Sequence, residues 1–179
     1  MRRMIGIVAL FLTLAGTTVL AEANSGTPVR ATSTEALRCM ALNIYFEARG
    51  EPFLGKIAVG HVVLNRIANR RYPSNACAVI QQGGERRRYR CQFSWWCDGR
   101  SDQPRNEASW REAIFVAMLI HRGATKDPTG GALWYHADSV DPYWSRQMLR
   151  FAKIGRHIFY VAPKVRASLN PPVRRASGT

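Results

Sequence analysis

Apolar residues recur at helical intervals through the first half of the chain. Leu37, Met40, Ala41, Ile44 and Ala48 define one face of a helix, as a period of 3.6 residues requires. Its start is expected at Thr32, because Thr32 and Glu35 have the spacing of a capping box. Gly50 and Pro52 end it, since proline disfavours helical geometry in the residue before it. A second helix over 53–69 carries Ile57, Gly60, His61, Leu64 and Ile67 on its inner side. Ser74 is placed to cap a short helical piece through Cys77 to Ile80. A further helix over 106–121 aligns Trp110, Ile114, Ala117, Met118 and His121, with Gly123 as its stop.

Elsewhere the helical pattern breaks. Between Gly83 and Gln103, two glycines, the basic cluster Arg86–Arg90 and Gly99 bracket the aromatic segment Gln92–Trp96. This stretch reads as a loop with a short hairpin. Asp127-Pro128-Thr129-Gly130-Gly131 is a turn signal leading into a strand at Ala132–His136. A short helix from Pro142 to about Phe151 and a last strand at Ile158–Val161 follow. The fold class is α+β, helix-rich with a small β element. No internal repeat is visible.

The chain has 179 residues, a formal net charge of +14, 46% hydrophobic residues and 21% charged ones. That apolar content excludes a disordered polyelectrolyte, and the length favours one domain. Arg2 and Arg3, the apolar run Met4–Gly16 and the small-residue exit Val19-Leu20-Ala21 read as a signal peptide over 1–21; the competing reading is an uncleaved anchor helix. Residues 22–35 then form a spacer and helix start, 36–161 the folded domain, and 162–179 a basic, flexible tail. Cleavage removes two arginines and no acid, so the exported chain stays strongly basic, with no stable membrane insertion.

Export changes the reading of Cys39, Cys77, Cys91 and Cys97. An even set in an oxidising compartment, without a CxxC pair, points to two disulfides rather than zinc. Three connectivities are open; Cys39–Cys77 with Cys91–Cys97 is preferred, because the second pair closes a small loop around Gln92–Trp96.

The candidate chemistry centres on Glu47. At 100° per residue it falls about 20° beyond Met40, at the edge of the first helix's apolar face. Flanked by Tyr45 and Phe46 and close to a helix C-terminus, its carboxyl is expected to be desolvated and its pKa raised. A glutamic acid still protonated near neutral pH is what a general acid needs to protonate a departing oxygen. The competing reading is an ion pair with Arg49, Arg70 or Arg71. Glu51 is expected to support the turn, by accepting backbone N–H bonds or pairing with Arg49.

Ordered motifs then reveal a family. They are Asn43-Ile44-Tyr45-Phe46-Glu47-Ala48-Arg49-Gly50-Glu51-Pro52, Gly60-His61-Val62-Val63-Leu64-Asn65-Arg66, Tyr72-Pro73, Cys91-Gln92-Phe93-Ser94, Ala132-Leu133-Trp134-Tyr135-His136-Ala137 and Ile154-Gly155-Arg156-His157-Ile158-Phe159-Tyr160. On these, residues 36–160 resemble the SleB-type cell-wall hydrolases, also called spore-cortex-lytic enzymes. The resemblance implies a lysozyme-like domain that cuts peptidoglycan glycan strands, with Glu47 as its catalytic acid. It also implies a lytic transglycosylase, which needs one carboxyl and no cofactor. No separate peptidoglycan-binding module is expected beside it.

A two-carboxylate glycosidase would need a second acid about 5 Å away if retaining, or about 6.5–9.5 Å if inverting. The remaining acids fall mostly in loops, caps and polar faces. Candidate substrate contacts are Gln92 and Ser94, which offer donors and acceptors to an acetamide, with Tyr135, His136 and Tyr160. Tyr135 is also placed to brace the carboxyl. His136, Asp138, Asp141 and His157 invite a zinc amidase reading, but no HxxxH or HExxH pattern is present, and no metal is expected. Two non-enzymatic rivals remain. An inactive peptidoglycan-binding protein is one. The other is an exported nucleic-acid-binding protein using the arginine cluster with Tyr89, Phe93, Trp95 and Trp96. Neither needs Glu47, and no nucleic-acid partner is expected.

Overall fold

A computed structural model of the chain describes residues 28–83 and 90–163. The expected signal peptide, Arg86–Arg88 of the basic cluster and the tail from 164 onward lie outside the described residues. Helix α1 spans Pro28–Ala48, so the chain is already helical four residues before Thr32, at the first described residue. Proline suits a first helical turn, where its missing N–H has no acceptor to lose and its φ is already helical; no glycine or second proline interrupts 29–31. The helix ends as expected before Gly50, and Glu51 N–H donates to Ala48 C=O at 2.9 Å.

Helix α2, Phe53–Ile67, is the centre of the domain. Ten of its 15 residues are buried, so it is covered on more than the one side its sequence pattern indicates. Ile57 and Val63 join the core formed with α1, while Ala58, Val59 and Val62 pack on Ala132 and Phe159 of the β region. Gly60 permits a close crossing: a Cβ there would lie 2.3 Å from Ile120 Cδ1. The short α3, Ala76–Ile80, is capped by Asn75 rather than Ser74, through Asn75 Oδ1 and Ala78 N–H at 2.8 Å. Helix α4, Glu107–His121, is capped by Asn106 on Ser109 N–H at 2.8 Å. Among the described residues no helix is long and apolar enough to cross a membrane.

The β element is a three-stranded antiparallel sheet in the order β1-β3-β2, with β1 at Trp134–Ala137, β2 at Leu149–Ile154 and β3 at His157–Val161. Strand β2 corrects the sequence reading, which places a helix across Pro142–Phe151. Only Tyr143–Gln147 is helical, as a 3-10 turn. In β2 the residues Leu149, Arg150 and Phe151 are all exposed, and the register slips between Arg150 and Ala152. An edge strand with a bulge has no inside–outside alternation to read. Of the loop and hairpin expected in 83–103, the described residues show an antiparallel Gly83–Cys91 bridge and a 3-10 turn, Ser94–Cys97. Both disulfides form in the preferred pairing, Cys39–Cys77 and Cys91–Cys97.

Glu51 ties the α1–α2 turn to the sheet, not to Arg49. Its Oε2 accepts Arg156 N–H at 2.8 Å in the β2–β3 turn. Gly155 in that turn has φ +57°, and a Cβ there would lie 1.9 Å from Glu51 Oε2. Gly155→Ala therefore combines a left-handed alanine with displacement of Glu51. Thermal unfolding should read a loss of roughly 2 kcal/mol, and a stability within error of wild type would contradict the contact.

Candidate active site

Glu47 sits one residue before the end of α1, between the buried Tyr45 and Ala48. Its partly buried carboxyl opens on a cavity of about 190 Å³ whose walls include Arg66, Gln92, Phe93, Ser94 and Tyr135. The Tyr135 hydroxyl donates to Glu47 Oε2 at 2.9 Å. Burial pushes the Glu47 pKa above the ordinary carboxylate value; the Tyr135 hydrogen bond and the Arg66 charge oppose that shift without cancelling it. No ion pair holds the carboxylate within 4.0 Å among the described residues. Arg49, a competing partner in the sequence reading, instead donates to Tyr45 Oη at 3.3 Å.

Tyr135 reaches Glu47 because α2 pins the start of β1. Asn65 Nδ2 donates to Asp127 Oδ2 at 2.9 Å and to Ala132 C=O at 3.1 Å, and Arg66 Nε donates to Leu133 C=O at 2.9 Å. Asp127 locks the turn by accepting the N–H groups of Thr129 and Gly131. Strand alternation then turns Tyr135 towards the helices, against Phe159 and His157 at ring separations of 5.5 and 5.0 Å. Burial, then the Glu47 charge, push the Tyr135 pKa well above 10. The phenol therefore keeps its proton and hydrogen-bonds through it to the carboxyl oxygen.

Arg66 is 2% exposed and lies over the Phe93 and Tyr72 rings at 5.1 and 5.5 Å. Its Nη1 has no hydrogen-bond partner among the described residues. Arg66, Gln92 and Tyr135 also line an adjoining depression of about 310 Å³, closed by Trp134 and Trp144. Three shared wall residues make the two hollows parts of one trough, with Glu47 at one end and two indoles at the other.

The structure thus brings Gln92, Ser94 and Tyr135 to Glu47. It places His136 and Tyr160 elsewhere. His136 Nε2 and Tyr160 Oη are 2.8 Å apart, their rings stacked, with Trp144 edge-on to both. Neither lines the Glu47 cavity; both back onto Trp144, which closes the adjoining depression. The four residues of the metal reading are spread over other contacts: Asp138 pairs with Lys153 at 2.7 Å, Asp141 with Arg146 at 2.9 Å, and His157 Nδ1 lies 3.9 Å from Glu51. Three trough residues, Arg66, Trp134 and Trp144, are missed by site reasoning from sequence. Arg66 and Trp134 stand inside the quoted motifs, whereas nothing local marks Trp144.

A helical domain with a small antiparallel sheet and a single desolvated carboxyl in a trough defines the class. The cell wall hydrolase family model matches residues 50–160, and the chain belongs to that family. The matched segment begins three residues after Glu47 and takes in Gln92, Ser94 and Tyr135. The spore cortex-lytic enzyme of Bacillus cereus is 33% identical over 138 residues, which are 76% of this chain and 48% of that protein. The Bacillus subtilis spore cortex-lytic enzyme is 31% identical over 128 residues, 71% of this chain and 38% of that one. The chain spans about half, or less, of the length of these curated relatives. Among solved structures, the catalytic domain of the germination-specific lytic transglycosylase SleB from Bacillus anthracis matches with a TM-score of 0.55 and 32% identity, covering 70% of this chain and 93% of that domain. The Bacillus cereus SleB catalytic domain matches with a TM-score of 0.54 and 28% identity, covering 72% of this chain and 91% of that one.

Proposed function

We propose that the chain is a peptidoglycan-cleaving lytic transglycosylase of the cell envelope, in which Glu47 serves first as acid and then as base. One observation carries the reading: among the described residues, Glu47 is the single carboxylate lining its trough, and its pKa is raised. A glycosidase with two catalytic carboxylates is not supported by such a lining.

In the first step the protonated Glu47 gives its proton to the oxygen joining N-acetylmuramic acid to N-acetylglucosamine. As the C1–O bond breaks, the muramic 2-acetamido oxygen bonds to C1 and takes up the developing positive charge. Glu47, now a carboxylate, is held by the Tyr135 hydroxyl. In the second step it withdraws the proton of the muramic 6-hydroxyl, whose oxygen attacks C1 and releases the acetamide. The product is a 1,6-anhydro ring; no water is consumed, and Glu47 regains its proton. Gln92 and Ser94 are placed to hold an acetamide. The Arg66 guanidinium adds a positive charge to the trough wall, and Trp134 and Trp144 offer faces for sugar rings.

Purified sacculi digested by the protein should yield anhydro-muropeptides by mass spectrometry; reducing ends alone would mean hydrolysis. Tyr135→Phe supplies a second check. Loss of the hydroxyl removes a contact that favours the carboxylate, so the Glu47 pKa rises further. The alkaline limb of kcat/KM should move to higher pH and the maximal rate should fall by about tenfold. A limb unmoved, or moved to lower pH, would contradict the assigned hydrogen bond.

A further inference from the structure

A cavity of about 470 Å³, larger than the one at Glu47, lies nearby. It lies against the same two segments: Tyr45 and Phe46 of α1 precede Glu47, and Trp95 follows Ser94. Consecutive Cα atoms are about 3.8 Å apart, so the two cavities lie close along these segments, and the Phe46–Trp95 stack, at 4.8 Å, stands on the wall of the larger one. The far wall is the segment 98–105. It is anchored at one end by the Cys91–Cys97 disulfide. At the other, Tyr45 Oη accepts Arg105 N–H and Asn106 N–H at 3.1 and 3.0 Å.

This second trough carries charges of both signs that do not neutralise one another. Arg49, Arg100 and Arg105 line it together with Asp98 and Asp102. None of these five enters an ion pair within 4.0 Å among the described residues. Arg49 is laid on Tyr45, with its guanidinium 5.5 Å from the ring centre, and Asp98 accepts a backbone N–H from Arg100 at 2.8 Å. Opposite charges that share one cavity and stay apart are spaced for a ligand bearing both signs. Guanidinium groups match carboxylates in geometry as well as charge, and carboxylates beside them suit an ammonium.

We propose that this trough binds the stem peptide of a muramic acid beside the scissile bond, with its carboxylates on Arg49, Arg100 and Arg105 and its free side-chain ammonium on Asp98 and Asp102. The inference rests on the glycan-cleaving reading and adds a substrate class to it: strands whose stems are present and not cross-linked through that amine. An extended peptide advances about 3.3–3.6 Å per residue, so a few residues carry it from the muramic lactyl group past the Phe46–Trp95 stack.

Two measurements on the full chain test this. In the first, the tetrapeptide L-Ala-γ-D-Glu-meso-diaminopimelate-D-Ala is titrated calorimetrically. Binding should saturate. The double variant Arg100→Gln/Arg105→Gln should weaken it by about tenfold, as should acetylation of the diaminopimelate amine; Asp102→Asn should lose the discrimination against the acetylated form. Affinity indifferent to all three changes would overturn the proposal, as would equally tight binding of inorganic phosphate, which would make this a bare anion site. In the second, kcat/KM is compared on peptide-bearing strands and on strands stripped of peptide by an amidase. Wild type should favour the former by about tenfold, and the double variant should bring the ratio near one. Equal wild-type rates would overturn the proposal. Anhydro products from neither strand would instead defeat the glycan-cleaving reading, while the tetrapeptide titration still decides the trough.

Discussion

Glu47→Gln should reduce release of anhydro-muropeptides by at least about 10³-fold while leaving the protein folded. A positioned acid or base contributes about 10²–10⁴-fold, and in the proposed mechanism one carboxyl fills both offices, with no second carboxylate lining the trough to replace it among the described residues. Glutamine keeps the shape and an oxygen to accept the Tyr135 hydroxyl, so the packing around residue 47 need not change. The substitution also has a signature in stability. Burial raises the Glu47 pKa in the folded state, so the folded protein binds the proton more tightly than the unfolded chain. That contribution is complete below the unfolded pKa and is lost as pH rises through the folded one. The amide does not ionise and escapes the loss. The variant should therefore gain on wild type as pH rises towards neutrality, and the gain should shrink in acid. A variant that loses both activity and its unfolding transition would say nothing for an acid role. One that lyses sacculi at the wild-type rate would remove Glu47 from the chemistry.

The second large effect concerns the Cys39–Cys77 disulfide. It joins α1 to α3 across 38 residues, and the loop-closure relation for that length gives about 4 kcal/mol of stabilisation, most of it acting on the unfolded chain. The six-residue Cys91–Cys97 loop gives about 2 kcal/mol by the same relation. Cys39→Ala/Cys77→Ala should lower the unfolding free energy by about twice as much as Cys91→Ala/Cys97→Ala. The smaller loop should act locally instead, since it frames Gln92 and Ser94 at the trough and the start of the 98–105 segment. Reversed magnitudes in denaturant unfolding would show that the first bridge does not constrain the unfolded chain as its span requires.

Much of this architecture is local in origin and therefore legible in the chain. The α1 face at Met40, Ala41, Ile44 and Ala48 and the stop at Gly50-Glu51-Pro52 follow from periodicity and proline geometry. The desolvated setting of Glu47 follows from its angle on that helix. What the sequence hides depends on register or on distant contacts. Strand β2 carries no alternation because its outer residues face solvent along an exposed edge. His136 and Tyr160 stack on each other against Trp144, one ring removed from the trough, a contact between distant segments that no local pattern displays. Arg66 looks like the polar end of a helix. Only the fold turns it inward, under Leu133 and between two rings. Glu51 illustrates the same limit: its expected role as a backbone acceptor is met, but by Arg156, 105 residues away.

The most direct test is digestion of purified sacculi in water enriched in oxygen-18, followed by mass spectrometry of the released chain ends. Intramolecular closure on the muramic 6-hydroxyl predicts anhydro ends without the heavy isotope, formed by wild type and absent with Glu47→Gln. Reducing ends carrying one heavy oxygen would show that water, not the sugar's own hydroxyl, completes the reaction, and would contradict the one-carboxyl account.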